Sequence, residues 1–134
     1  MNLNLELAVK MIEKAEEKAV SMGVPMVISV VDHGGNLIAQ HRMDKAPLAS
    51  IDISLNKAYT ALAVKEATHK FGKNAEPGEE IYGINTTNDG KLVLFGGGYP
   101  IKNKSGEVIG GIGSSGGAVE ADMKCAKSGL SVLD

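Results

Sequence analysis

The chain has 134 residues, a formal net charge of −2 and an isoelectric point near 5.9. This length fits one domain with one core, and we expect that domain to span residues 1–134. The net charge indicates no basic surface that would bind nucleic acid. No apolar run approaches the ~18 residues that cross a bilayer. The N-terminal stretch lacks the basic segment and cleavage site of a signal peptide, and the single cysteine, Cys125, fits a reducing compartment. The sequence therefore predicts a cytoplasmic domain that binds neither nucleic acid nor membranes.

A first helix is predicted directly after Asn4, which can cap its N-terminus. Its apolar residues recur every three or four positions and so share one face: Leu5, Ala8, Ile12, Ala15, Ala19 and Met22. Gly23 and Pro25 are typical of the residues that follow the end of a helix. We expect this helix to be structural.

A β-hairpin is predicted next. The residues from Met26 to Asp32 are apolar at both parities, which indicates a strand covered on both faces. A turn at residues 33–36 leads into a return strand from Leu37 to Arg42. Because side chains alternate along a strand, His41 and Arg42 are expected to face opposite sides of the sheet.

Three further helices are predicted. Pro47 suits the first turn of the second helix, whose apolar stripe loses phase near Lys65. We therefore expect a break there and a short third helix, on which His69 would be exposed. The last helix is predicted to begin near Gly117 and to bury Cys125 as an inert thiol.

The stretch from Leu92 to Gly117 holds nine of the chain's 17 glycines. Its pattern predicts strands at residues 92–95, around Ile101 and at residues 107–112, followed by a Ser/Gly corner that opens the last helix. Glycine permits close approach of a second backbone or of a ligand. Either a packed helix or a ligand is therefore expected beside these residues.

The order of these elements favours an α+β sandwich. Consecutive strands joined by tight turns indicate an antiparallel sheet, and strands that are apolar on both faces indicate helices on both sides. We predict a five-stranded antiparallel sheet with helices on both faces.

Two known motifs, a dinucleotide-binding fingerprint and a nucleophile elbow, match this chain in residue pattern but not in structural context. The segment from Gly111 to Gly116 matches the dinucleotide-binding pattern G-x-G-x-x-G. That site also requires a following parallel strand with an acidic residue, and the sequence predicts none. The elbow motif G-x-S-x-G around Ser115 requires a histidine later in the chain, and all three histidines precede it. No histidines stand at the spacing of a helical metal site. The residues by themselves favour a binding role.

Three stretches together resemble one known family. They are VVDHGGNLIAQHRMDKA at residues 30–46, SIDISLNKAYTAL at residues 50–62, and FGGGYPIKNKSGEVIGGIGSSGG at residues 95–117. In this order they are similar to the motifs of the GlcG/HbpS-like haem-binding family, which also supplies the C-terminal domain of the PduO propanediol-utilisation proteins. Lys45 stands where the family commonly has glycine, and Ser114 where it commonly has valine.

The resemblance implies a profilin-like sandwich, homo-oligomers, and binding of haem or a related tetrapyrrole. It also links the chain to glycolate, glycerol or propanediol utilisation. The positions carried over are family-pattern residues rather than known ligands: Asp32, Gly35, Arg42, Asp44, Lys57, Thr60, Gly97, Pro100 and Gly116. The resemblance does not specify a reaction.

Three classes of function remain open. The favoured one is a tetrapyrrole-binding accessory or sensor protein with haem as ligand. A module that binds an organic acid or a corrinoid-related molecule is the second, and an enzyme is the third. In an enzyme, Arg42, Lys57 and the Ser/Gly corner would polarise a substrate carboxylate or carbonyl.

One groove is predicted to serve all three classes. It lies between the hairpin, the second helix and the glycine-rich stretch, where Arg42 can grip a carboxylate with two hydrogen bonds. Glycines would admit the ligand and the last helix would offer its N-terminus. The predicted cofactor-binding residues are Arg42, His41, Lys57, Gly97, Gly98, Ser115 and Gly116, with His41 as the iron ligand if the cofactor is haem.

Overall fold

The computed structural model describes residues 3–134. Met1 and Asn2 lie outside the described residues; they begin the segment for which no signal peptide is predicted. The helices are α1 (Leu5–Met22), α2 (Ala49–Val64), α3 (Thr68–Phe71) and α4 (Val119–Leu130), and the strands are β1 (Val27–Asp32), β2 (Leu37–Arg42), β3 (Gly98–Lys102) and β4 (Val108–Ser115). Short 3-10 turns occupy much of residues 72–90 and end the chain at Ser131–Leu133.

The strands form one antiparallel sheet in the order β2-β1-β4-β3. Strands β1 and β4 are central, which explains why β1 is apolar on both faces: its first five residues are all buried. Strands β2 and β3 are the edges. The turn between β1 and β2 is closed by the Asp32 carboxylate, which accepts hydrogen bonds from the backbone N–H groups of Gly34 and Asn36.

Helices cover both faces of the sheet, as predicted. Helix α2 packs across β4, where an added Cβ at Gly113 would lie 2.1 Å from the Ser54 carbonyl oxygen. Helices α1 and α4 cover the other face and close the main core, which includes Met11, Ile28 and Ile112. The prediction of an α+β sandwich with an antiparallel sheet is confirmed at this level.

Both predicted ends of α1 and the predicted C-terminal end of α2 are confirmed, whereas α2 begins at Ala49 and Pro47 precedes its first turn. The Asn4 side chain accepts a hydrogen bond from the Leu7 backbone N–H at 2.8 Å, and Gly23 ends α1 in the left-handed conformation with φ of 68°. Helix α2 ends at Lys65, which is also left-handed, with φ of 60°. This is the position at which the apolar stripe loses phase.

The prediction of five strands is wrong, because residues 92–95 do not form a strand. The backbone here crosses α2 and forms hydrogen bonds with the side chain of Thr60. The Thr60 hydroxyl accepts a hydrogen bond from the Val93 backbone N–H at 2.9 Å, and it donates one to a carbonyl oxygen of α2 or to that of Lys91. The apolar pattern of this segment reflects packing on a helix. Alternation alone does not distinguish that packing from packing in a sheet.

None of the helices in residues 3–134 is long and apolar enough to cross a bilayer.

Candidate functional site

Lys57 lies on the face of α2 that packs against the sheet. Its side chain is fully buried, and its Nζ donates to Asp122 Oδ2 and to the Ser114 carbonyl oxygen, each at 2.9 Å. Asp122 Oδ1 accepts a further hydrogen bond from the Gly117 backbone N–H. Burial lowers the pKa of Lys57, against the opposing effect of the Asp122 carboxylate. The pair joins α2 to α4, and Lys57 has no surface left to offer a ligand.

Protein atoms fill the space beside the glycines that were predicted to admit a ligand. An added Cβ at Gly97 would lie 2.6 Å from Lys57 Nζ, and one at Gly98 would lie 2.4 Å from the Lys57 carbonyl oxygen. At Gly116 it would lie 2.2 Å from the Pro25 carbonyl oxygen. The sequence left open whether a helix or a ligand lies beside this stretch. In the structure α2 lies there, together with neighbouring backbone.

The sheet register brings Arg42 and Ser115 onto the α2 face. Each pairs with Val27, one from β2 and one from β4, so their side chains share a row across the sheet. The buried Ser115 hydroxyl donates to Ser50 Oγ at 3.0 Å, and the exposed Arg42 guanidinium donates to the Ala46 carbonyl oxygen at 3.1 Å.

His41 lies on the opposite face of the sheet from these residues. Its Nδ1 contacts the Glu16 carboxylate of α1, and 42% of its side chain is exposed. A ligand on the α2 face would have to pass through the sheet to reach His41. The structure therefore assembles Arg42, Lys57, Ser115 and the glycines on one side, and separates the predicted iron ligand from them. Their roles in binding stay predictions.

A cleft of about 650 Å³ opens at the edge of the sheet, beside β3. We call it the β3-edge cleft; it lies between the end of α2, α3, β3 and α4. Ligand pockets in proteins span about 300–1,000 Å³, so its size suits a small molecule or a cofactor. Its lining residues are Lys65, Glu66, Ala67, His69, Lys70, Tyr99, Pro100, Lys102, Met123, Lys127 and Leu130.

The β3-edge cleft is cationic on a chain that is acidic overall. Four lysines line it against one glutamate, an excess of three positive charges, whereas the whole chain carries −2. Tyr99, Pro100 and Leu130 contribute apolar surface between these charges. This combination suits a flat apolar molecule that carries carboxylates, since apolar walls bury its body and ammonium groups pair with its anions.

His69 is the histidine that lines the cleft. Its ring lies 5.8 Å from the ring of Tyr99, and its Nδ1 is buried without a hydrogen-bond partner among the described residues. Desolvation lowers the pKa of His69, and the nearby Lys70 and Lys73 lower it further. Both effects favour the neutral form of the imidazole. The sequence predicted an exposed His69, but the ring is half-buried.

Little in the sequence pointed to this cleft. Lys65 and Lys70 flank His69 closely in the chain, but Lys102 and Lys127 come from β3 and α4. Only the fold brings the four lysines together. In residues 3–134 no group of three or more His, Cys, Asp or Glu side chains is arranged to hold a metal ion.

The fold and the cleft define a class: a small α+β domain with an antiparallel sheet and a cationic cleft at its edge. A family model described as "Haem degrading protein HbpS-like" matches residues 3–131, and the chain belongs to this family. The family resemblance seen in the sequence is thereby confirmed.

Curated relatives include a whole-length match and a partial one. A 15.0 kDa protein of the dhaT-dhaS intergenic region of Citrobacter freundii is 47% identical over 128 residues, which is 96% of this chain and 89% of that protein. The corrinoid adenosyltransferase PduO of the same organism is 37% identical over 134 residues. That match covers all of this chain but only 40% of PduO, so the similarity concerns a part of that enzyme.

Solved structures share the fold closely. The Klebsiella pneumoniae protein ORFY superposes with a TM-score of 0.95 at 41% identity, covering 98% of this chain and 90% of that one. A PduOC:heme complex also gives a TM-score of 0.95, at 37% identity and with 100% and 96% coverage. A double mutant of Streptomyces reticuli HbpS gives 0.88 at 29% identity, with 100% and 88% coverage.

Proposed function

We propose that this protein binds haem or a related tetrapyrrole, as an accessory or sensor protein linked to propanediol, glycerol or glycolate utilisation. The β3-edge cleft carries the proposal, because it combines a volume of about 650 Å³ with an excess of three positive charges. Membership of the HbpS-like family and similarity to the protein of the PduOC:heme complex support haem as the ligand. Similarity to PduO supports the metabolic link.

The lining of the cleft fits the chemistry of haem. A porphyrin has two apolar faces, which the side chains of Tyr99, Pro100 and Leu130 can cover. Its two propionates are anions, and the cleft supplies several ammonium groups for them. His69 adds an imidazole to the lining, the side chain that binds haem iron in globins and peroxidases. Bound haem would supply an iron centre that can bind small ligands or exchange electrons.

Titration with hemin tests the function. We expect purified protein to bind hemin stoichiometrically, with a Soret band that shifts on binding and saturates at one haem per chain. Bovine serum albumin should be run in parallel as a reference for non-specific uptake. Absence of a saturable band shift would refute haem binding.

The groove predicted from the sequence is tested in the same titration. If Arg42 pairs with a propionate, Arg42→Ala should weaken binding by about 1.5–3 kcal/mol, the range for hydrogen bonds to charged groups. His41→Ala should change the haem spectrum if His41 binds iron. Unchanged affinity and spectra in both variants, with folding intact by circular dichroism, would remove that groove from consideration.

A second candidate function is binding of a small organic acid or a corrinoid-related molecule. The excess of lysines in the β3-edge cleft favours it, because this charge suits carboxylates of many kinds. Isothermal titration with succinate and with hydroxocobalamin distinguishes the alternatives. Tight binding of either one in a protein that leaves hemin in solution would replace haem as the ligand.

We also propose that the protein is a cytoplasmic homo-oligomer. The unpaired Cys125 suits a reducing compartment. Leu37 on edge strand β2 and Phe95 beside Lys57 of α2 keep 50% and 47% of their surface exposed, and association would bury them. Light scattering at micromolar concentration should give a mass that is a multiple of 14.0 kDa. A mass equal to the monomer would contradict this assembly.

A further inference from the structure

We propose that the protein associates with a second copy of itself through the outer edge of strand β2. The two β2 strands pair antiparallel about a two-fold axis, and the two sheets join into one continuous sheet of eight strands, four from each copy. This inference rests on the homo-oligomer proposed above and assigns its interface.

The outer edge of β2 carries unused backbone hydrogen-bonding groups. Along an antiparallel ladder, successive residues alternately bond to the neighbouring strand and direct their backbone groups away from it. The Met43 N–H donates to the Met26 carbonyl oxygen at 3.0 Å, so Met43 bonds inward. By this alternation Gln40 and Arg42, which pair with Ser29 and Val27, direct their N–H and C=O groups outward. Within residues 3–134 these outward groups have no hydrogen-bond partner.

Strand β3, at the other edge of the sheet, is closed to such pairing. The Ser114 N–H donates to the Gly97 carbonyl oxygen at 2.9 Å, and the same alternation directs the backbone groups of Gly98 and Pro100 outward. The Gly98 N–H donates to the Thr68 hydroxyl at 3.0 Å, and Pro100 has no N–H. Proline and lysine on an edge strand hinder pairing with another chain. Strand β2 contains neither, so it lacks this protection.

The polar side chains of β2 leave its edge free. Gln40 Nε2 donates to Ser29 Oγ at 2.8 Å and to the Ile51 carbonyl oxygen at 2.9 Å. The Arg42 guanidinium donates to the Ala46 carbonyl oxygen. Both side chains are therefore held over the α2 face of the sheet, and neither folds across the edge to block a second strand.

An antiparallel pair of β2 strands is self-complementary, because a two-fold axis places the same edge on both sides of the interface. A register centred on Gln40 sets it opposite the partner's Gln40, so that the outward groups of both strands bond to each other. It also places Leu37, which is 50% exposed, near the partner's Met43 and covers it. Registers centred on His41 or Arg42 would set two copies of a basic side chain opposite each other, and like charges in that position destabilise a sheet.

The first experiment measures backbone hydrogen exchange of the wild-type protein by NMR at a concentration where light scattering shows the assembly. After correction for intrinsic rates, the amides of Gln40 and Arg42 should exchange at least about tenfold more slowly than that of Lys104, on the exposed turn between β3 and β4. Free exchange of the Gln40 and Arg42 amides in the assembly would overturn the proposal.

The second experiment compares two substitutions of Arg42 by light scattering. Arg42→Pro removes an outward N–H that the β1–β2 ladder does not use, and it should lower the mass of the assembly twofold or more. Arg42→Ala removes the same side chain but keeps the N–H, so it should retain the wild-type mass. Equal masses for the two variants would contradict pairing through the backbone.

A third variant keeps the test decisive if Arg42→Pro does not fold by circular dichroism. Leu37→Lys places a charge on the same edge and should also lower the mass, because a lysine on an edge strand opposes pairing. The matched control is Leu48→Lys, at a leucine that is 72% exposed before α2, and it should assemble like wild type. An unchanged mass in Leu37→Lys would overturn the assignment of this edge.

The outcomes separate the interface from the assembly on which it rests. If wild type assembles but the Gln40 and Arg42 amides exchange freely, the copies meet through another surface and the homo-oligomer still stands. If wild type has the 14.0 kDa mass of one chain, both the assembly and the interface are refuted.

Discussion

The Lys57 ammonium and the Asp122 carboxylate lie 2.9 Å apart and are sealed from solvent, with 0% and 4% of their side chains exposed. The two residues are 65 positions apart in the chain and belong to α2 and α4. Because neither charge has access to water, each depends on the other and on the Ser114 and Gly117 backbone.

Removing one charge of the Lys57–Asp122 pair should strongly destabilise the folded protein. Asp122→Asn leaves the Lys57 ammonium buried without a counter-charge, so we expect the free energy of unfolding to fall by about 3–5 kcal/mol. Urea denaturation followed by circular dichroism measures this change. The exposed pair of Glu6 and Lys10 is the control, since Glu6→Gln should have little effect. Similar losses in the two variants would contradict the special role of the buried pair.

Gly113 should tolerate no side chain. An added Cβ would lie 2.1 Å from the Ser54 carbonyl oxygen of α2, which cannot move without displacing the helix. We expect Gly113→Ala to lower the free energy of unfolding by about 1–3 kcal/mol through overpacking. At Gly34 the nearest atom would belong to the flexible, exposed Asn36 side chain, so Gly34→Ala should stay within about 0.5 kcal/mol of wild type. A neutral Gly113→Ala would mean that α2 does not pack as described.

Cys125 should be inert in the folded protein. Its side chain is fully buried, its Sγ donates to the Ala15 carbonyl oxygen at 3.2 Å, and burial raises the pKa of the thiol to about 11. The reactive thiolate is therefore scarce and shielded at pH 8. Mass spectrometry after iodoacetamide treatment should show alkylation in urea and almost none in buffer. Equal rates in the two conditions would show that the thiol is accessible.

His69 should titrate below the ordinary histidine pKa of 6.5, principally because of desolvation, then Lys70 and Lys73. Glu66 opposes this shift and Lys127 adds to it. Lys70→Gln should raise the pKa of His69. NMR titration of the ring protons measures both values. A pKa at or above 6.5 in wild type would contradict the described surroundings of the ring.

The lowered pKa of His69 makes the free energy of unfolding decrease as the pH falls. Because the folded protein holds the pKa of His69 below its unfolded value, the unfolded chain binds the proton first as the pH falls. The contribution of His69 to stability is therefore complete above pH 6.5 and declines as the pH falls toward the folded pKa. Urea denaturation measures the free energies of unfolding of wild type and His69→Ala across this range. The two values should converge or cross as the pH falls. A gap independent of pH would exclude the effect.

The sequence by itself determined the local elements of this protein. Asn4 and Gly23 mark the ends of α1 because capping depends on the conformation of single residues. The apolar pattern of residues 27–31 indicated a strand covered on both sides, since a central strand has no polar face. Three motifs in order were sufficient to indicate the family.

Only the tertiary structure decided the strand count and the places where binding chemistry can occur. The segment of Val93 has a strand-like pattern, but its backbone bonds to Thr60 of α2, a contact that no local pattern encodes. Likewise, the sequence predicted that His41 and Lys57 contact a ligand, but the fold pairs them with Glu16 and Asp122. The cationic cleft around His69 forms where α3, β3 and α4 meet. Its charges are far apart in the chain, and long-range packing alone determines which of them become neighbours.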